Sequence, residues 1–138
     1  MAKSVVAVLL VATLVALPFM SETLAQPSSY ASMTAASSTK LEAIRDRFDR
    51  LEQIVYSTNW NDIISYIHGP LGEIRRDLRM LTIGLDKTKK EAVTNAANSL
   101  FKSLVKIDIA AKERNASALE TAFKNSVTEL DSIIDLVS

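Results

Sequence analysis

His68 is the only histidine in this 138-residue chain, and there is no cysteine. A two-histidine metal site, a thiolate zinc site, an iron–sulfur cluster, a disulfide and a cysteine nucleophile are therefore excluded within one chain. Serines are plentiful, but none sits in a strand-turn-helix elbow, and only His68 could serve as their base. A di-metal carboxylate site in a helical protein needs Glu-x-x-His on two helices, and that motif is absent. Glu73 and Asp77 lie among Arg75, Arg76 and Arg79, a spacing that predicts i,i+4 charge pairing on a solvent face rather than carboxylates tuned for proton transfer. Three glycines are too few for a Gly-rich phosphate loop. These residues predict no catalytic group, no cofactor and no metal. His68 is expected to hydrogen-bond locally at the surface; the alternative is a metal contact shared with a nearby carboxylate.

Charge narrows the partners. Sixteen basic and sixteen acidic residues leave the chain neutral, which excludes nucleic-acid binding through bulk charge. The basic residues nevertheless cluster. Arg75, Arg76 and Arg79 are followed closely by Lys87, Lys89 and Lys90. Two readings stand: a solvated face at a helix C-terminus, or a docking patch for an acidic surface. Lysines in the first turn of a helix oppose its dipole, which favours a use for them. Trp60, the single tryptophan, is expected to anchor a core, with an exposed contact as the alternative.

These residues need elements to position them. Val5 to Met20 is a nearly unbroken apolar run behind Lys3. It is short for a bilayer span of about 20 residues, and it matches the apolar region of an export signal. Residues 1–25 are therefore expected to be a targeting signal, cleaved after Thr23-Leu24-Ala25 or after Ser29-Tyr30-Ala31; a retained anchor is the alternative. Residues 26–38 are mostly Ser, Thr and Ala without apolar periodicity, and predict a flexible arm.

From Thr39 the pattern becomes helical. Leu41, Ile44, Phe48, Leu51 and Val55 step by three and four. Thr39 and Glu42 form a candidate capping box. A second stripe runs Trp60, Ile64, Ile67, Leu71, Ile74, Leu78 and Leu81, with Asn59 as N-cap. It crosses Gly69-Pro70 in phase, predicting one kinked helix that ends near Gly84. The third helix opens at Thr88 with Glu91 and carries Val93, Ala96, Leu100, Leu104, Ile107 and Ala111 toward an end near Asn115. The fourth opens at Ser117 and carries Leu119, Phe123, Val127, Leu130, Ile134 and Val137. Short connections between helices of similar length predict an all-α, up-down-up-down four-helix bundle over residues 39–138.

The stretch Trp60 to Arg75 contains Ile67-His68-Gly69-Pro70-Leu71-Gly72. It resembles the second-helix signature of the PsbQ family, the extrinsic lumenal subunits of photosystem II. A second segment, with Phe101 and Leu104 followed by Ile107-Asp108-Ile109-Ala110-Ala111, resembles the family's third helix. The resemblance covers roughly residues 40–137. It implies a non-catalytic protein in the thylakoid lumen, chloroplast or cyanobacterial, that helps retain calcium and chloride at the oxygen-evolving complex. The partners it implies are lumenal loops of the core antenna and other extrinsic subunits. Cyanobacterial members resemble lipoproteins with an N-terminal Cys, which this sequence lacks; the departure favours an algal type. Docking through Arg75, Arg76, Arg79, Lys87, Lys89 and Lys90 is the expected mechanism. A secreted or periplasmic four-helix chaperone or adaptor is the rival reading, but it leaves the Ile67–Gly72 motif to chance.

Overall fold

The computed structural model describes residues 29–138, with side chains from 35 onward. The expected signal, residues 1–25, and the start of the expected arm lie outside the described residues. Among the described residues five α-helices follow one another: α1 (Ser29–Tyr56), α2 (Trp60–His68), α3 (Ile74–Leu81), α4 (Lys87–Lys112) and α5 (Ala116–Val137). A 3-10 turn, Pro70–Glu73, joins α2 to α3. Together α2, the turn and α3 make one rod, so the architecture is a four-helix bundle with a bent second member. α1 packs on this bent second rod and on α5, and α4 packs on α5 and on the second rod, which closes the ring.

The bend has a local cause. Gly69 leaves helical geometry at φ −94° and ψ −102° while its N–H still donates to the carbonyl of Ser65 at 2.9 Å. Pro70 then opens the 3-10 turn, where its missing N–H has no partner to lose. The second rod is thus two α segments around a tighter turn rather than a continuous kinked α-helix.

Apolar periodicity located the core well. Ile44, Phe48, Leu51, Val55, Leu71, Ile74, Leu78 and Leu81 are all buried, as are Val93, Leu100, Leu104, Ile107, Leu119, Phe123, Leu130 and Ile134. In α2 the phase differs by one residue. Ile63 is fully buried, whereas Ile64 and Trp60 are half-buried and pack against the margin of the core. Full burial of one such side chain is worth about 1.5–3 kcal/mol. The α4–α5 seam is the most extensive, and both helices carry buried small residues: Ala110 and Ala111 on α4, Ala122 and Ser126 on α5. Ser126 is wholly buried and satisfies its hydroxyl on the Phe123 carbonyl at 2.7 Å.

Four helix boundaries depart from the expectation. α1 begins at Ser29, so residues 29–38 are helix rather than flexible arm. Thr39 is not a cap: its hydroxyl donates back to the Ala35 carbonyl at 3.0 Å, inside the helix. The cap of α4 is Asp86, whose carboxylate accepts from the Lys89 N–H at 2.9 Å, and not Thr88. The cap of α5 is Asn115, accepting from the Ala118 N–H at 3.0 Å, and α4 ends at Lys112. Asn59 caps α2 as expected, bonding the Asp62 N–H. Gly84 lies two residues beyond the α3 cap residue Thr82, at φ +90°, where a Cβ would be strained.

Candidate docking site

The two sequence segments that carry the family resemblance meet in space. Ile67, His68, Leu71 and Gly72 face Phe101, Leu104 and Asp108 across a cleft of about 220 Å³ between the second rod and α4. Leu71 is buried beneath it, and Gly72 leaves open space where a side chain would stand. His68 Nε2 lies 2.9 Å from Asp108 Oδ1, and Lys112 Nζ donates to Asp108 Oδ2 at 2.5 Å. The expectation of a local hydrogen bond for His68 is therefore corrected: its partner is forty residues away on another helix. No group of three or more His, Cys, Asp or Glu residues among the described residues is arranged to hold a metal ion.

A second interhelical contact also escaped the sequence. Glu73 and Asp77 do not pair with the arginines of their own segment. Arg47 of α1 takes both: Nη1 reaches Asp77 Oδ2 at 2.7 Å, and Nη2 reaches Glu73 Oε2 at 3.2 Å. The Tyr66 hydroxyl donates to the Arg47 backbone carbonyl at 3.1 Å. Burial pushes the Tyr66 phenol above its ordinary value, against the opposing pull of Arg47 and Arg50. Arg47 thus ties α1 to both halves of the bent rod.

This clamp changes the electrostatics of the opposite side. With Glu73 and Asp77 turned to Arg47, none of Arg75, Arg76, Arg79, Lys87, Lys89 and Lys90 makes an ion pair among the described residues. All six are exposed. They do not form one cluster. Arg75 and Arg79 from α3 and Lys90 from α4 line a shared groove of about 500 Å³, floored by Leu78, Ala97 and Phe101. Arg76, Lys87 and Lys89 lie outside it. The Arg75 guanidinium stacks over the Phe101 ring, 4.3 Å from its centroid. That contact places Phe101, a signature residue, at the junction of the cleft and the groove.

The site offers charge and apolar surface, with its polar groups placed for recognition. The fold around it is an all-helical four-rod bundle. The family model described as PsbQ, oxygen evolving enhancer protein 3, matches residues 5–138, and the chain belongs to the PsbQ family. CyanoQ of Synechocystis sp. (strain ATCC 27184 / PCC 6803 / Kazusa) is 34% identical over 88 residues. That match covers 64% of this chain and 59% of the relative, so the chain spans well under two thirds of the curated relative it matches.

Proposed function

We propose that this chain is a non-catalytic extrinsic subunit on the lumenal side of photosystem II. It steadies the oxygen-evolving complex and the retention of calcium and chloride there. Membership of the oxygen-evolving-enhancer family supports the reading. No helix among the described residues is long and apolar enough to cross a membrane, which fits peripheral attachment through protein contacts. The observation that carries the mechanism is the set of six exposed cations on α3 and the start of α4 with no ion-pair partners among the described residues. They would meet acidic lumenal loops of the core antenna or acidic faces of neighbouring extrinsic subunits. Ion retention would follow from shielding, with no ion bound by the chain itself.

The test is binding of the full chain to photosystem II stripped of its extrinsic subunits, followed by oxygen evolution at low calcium and chloride. Screening at high salt should release it, because exposed charges lose their reach beyond a Debye length of about 8 Å at physiological ionic strength. Saturable, salt-sensitive binding with recovered activity is the expected result. Normal binding by a variant with all six cations neutralised would overturn the docking mechanism.

A further inference from the structure

We infer that the α3/α4 groove is the seat for one acidic, amphipathic helical segment of a protein partner. This rests on the docking reading above and narrows it from a charged face to a shaped site.

The argument begins with packing. α4 packs extensively on α5, whereas α3 meets α4 only sparsely. The bent rod leaves a trough over Leu78, Ala97 and Phe101. Apolar surface continues past both ends. Ile83 is 59% exposed at one end and Val105 is 51% exposed at the other. Arg75 and Phe101 line both the trough and the cleft that holds Val105, so the surface is continuous. Along α4, from Lys90 to Val105, it runs about 22 Å at 1.5 Å per residue, enough to lay down some four turns of a partner helix.

Charge selects the occupant. Among the described residues no acid lines the trough, while Arg75, Arg79 and Lys90 do. Three like charges along an apolar floor repel one another until an anion arrives. Arg75 and Arg79 are one helical turn apart on one wall, and Lys90 stands on the α4 side. Cations strung along the walls match acids repeated along a helix flank, rather than a single phosphate headgroup needing several donors at one point. The Arg75 guanidinium is already held over the Phe101 ring, 4.3 Å from its centroid, and its N–H groups have no carboxylate partner among the described residues. The chain's own residues 1–28 carry one acid, Glu22, and one base, Lys3, so they lack the complementary charge.

Thr94 lines the trough and is exposed, so Thr94→Trp would fill it without changing charge. The probe is a fluorescein-labelled synthetic peptide of about 18 residues, ~27 Å as a helix, with a leucine stripe flanked by glutamates. Fluorescence anisotropy with the full chain should show saturable binding at low salt. Thr94→Trp should weaken it at least about tenfold, and the same peptide with lysines for glutamates should not bind. Circular dichroism checks folding, and Asn98→Trp, at another exposed position lining the trough, replaces Thr94→Trp if that variant is unfolded. Binding of the peptide by the tryptophan variant as well as by the parent, or no binding by the parent, overturns the proposal. So does Trp-sensitive binding to phosphatidylglycerol vesicles, or Trp-sensitive self-association in sedimentation, with no peptide binding. Stripped photosystem II separates the two readings. If Thr94→Trp binds it normally while a combined Arg75→Glu, Arg79→Glu, Lys90→Glu variant does not, the seat falls and electrostatic docking stands. If both variants bind normally, the seat falls and so does docking through Arg75, Arg79 and Lys90.

Discussion

His68 Nε2 and Asp108 Oδ1 stand 2.9 Å apart and join the end of α2 to the last turns of α4. The pair bridges the two segments by which the sequence resembles its family, and it closes one end of the cleft between them. The His68 side chain is 61% exposed and that of Asp108 is 11% exposed. Solvent at the histidine end screens the attraction, and Lys112 already satisfies the second carboxylate oxygen. A double-mutant cycle of His68→Ala and Asp108→Ala should therefore give a coupling energy of no more than about 1 kcal/mol. Urea denaturation would measure it. A coupling several times larger would mean that the bridge, rather than the apolar floor beneath it, holds the second rod to α4.

Arg47 should matter more. Its side chain is 23% exposed and that of Asp77 is 19% exposed, so removing either leaves the other partly desolvated without a partner. Arg47→Ala is expected to cost about 1–3 kcal/mol. Asp77→Ala should cost more than Glu73→Ala, because Glu73 is 72% exposed and its bond to Arg47 is longer. Arg47→Lys should recover only part of the loss, since an ammonium cannot reproduce the planar fork that reaches both acids. The readout is the urea midpoint at unchanged slope. Equal losses at Asp77 and Glu73 would contradict the assignment.

Tyr66 provides a pH signature. Its phenol is raised above the ordinary value of 10.0 by burial, so the folded state favours the neutral phenol more than the unfolded chain does. The sign follows from linkage. The stabilisation is complete below the unfolded pKa and is lost as pH rises through the folded one. Stability should fall above about pH 10, where the ionised hydroxyl can no longer donate to the Arg47 carbonyl. Tyr66→Phe should abolish that part of the alkaline slope while lowering stability at neutral pH by roughly 1 kcal/mol, the lost hydrogen bond. Denaturation midpoints across pH 8 to about 11 would show it; an unchanged slope would place the titration elsewhere.

Apolar spacing revealed the bundle because three-and-four stepping is a direct image of a helix face. It could not resolve Ile63 from Ile64, since adjacent isoleucines satisfy the same pattern, and only packing against α1 and α4 decides between them. Residues 29–38 misled for a different reason. Ser and Thr weaken a helix by competing for its backbone, yet Ser38 and Thr39 here bond the Ala35 carbonyl from within one. Asp86 caps α4 although Thr88 with Glu91 has the spacing of a capping box, because local sequence does not decide which of two nearby acceptors turns to the free N–H groups. The site was half visible. The basic residues, Phe101, His68 and Asp108 all stood out by type or motif. Their division into a groove-lining trio and an outlying trio did not, and neither did the reach of Arg47 across the bundle, because contacts between distant residues leave no trace in local periodicity.

Two connections hold strain that a glycine should release. Thr58 follows α1 at φ 52° and Arg114 follows α4 at φ 54°. Both occupy the left-handed position that glycine commonly fills at a helix end. Around Arg114 the bonding is complete: its N–H donates to Ala111 at 3.2 Å, and the Asn115 N–H donates to Ala110 at 2.9 Å. The hydrogen bonds are thus made despite the side chain, and the Cβ is the unfavourable part. Left-handed geometry costs an L-residue roughly 1–2 kcal/mol, and the extra freedom of glycine in the unfolded chain returns about 0.4–1 kcal/mol of that. Thr58→Gly and Arg114→Gly should each stabilise by a net ~0.5–1 kcal/mol, with Thr58 the larger because its branched Cβ is the more crowded. Thermal unfolding should rise by a few degrees for each, on the scale of about 4–8 °C per kcal/mol for a domain of this size. Thr58→Asn is the control, since Asn tolerates the same geometry without loosening the unfolded chain. Stabilisation by Asn but not by Gly would show the strain is real and masked by unfolded-state entropy; stabilisation by neither would mean that these two turns are held by packing that absorbs it.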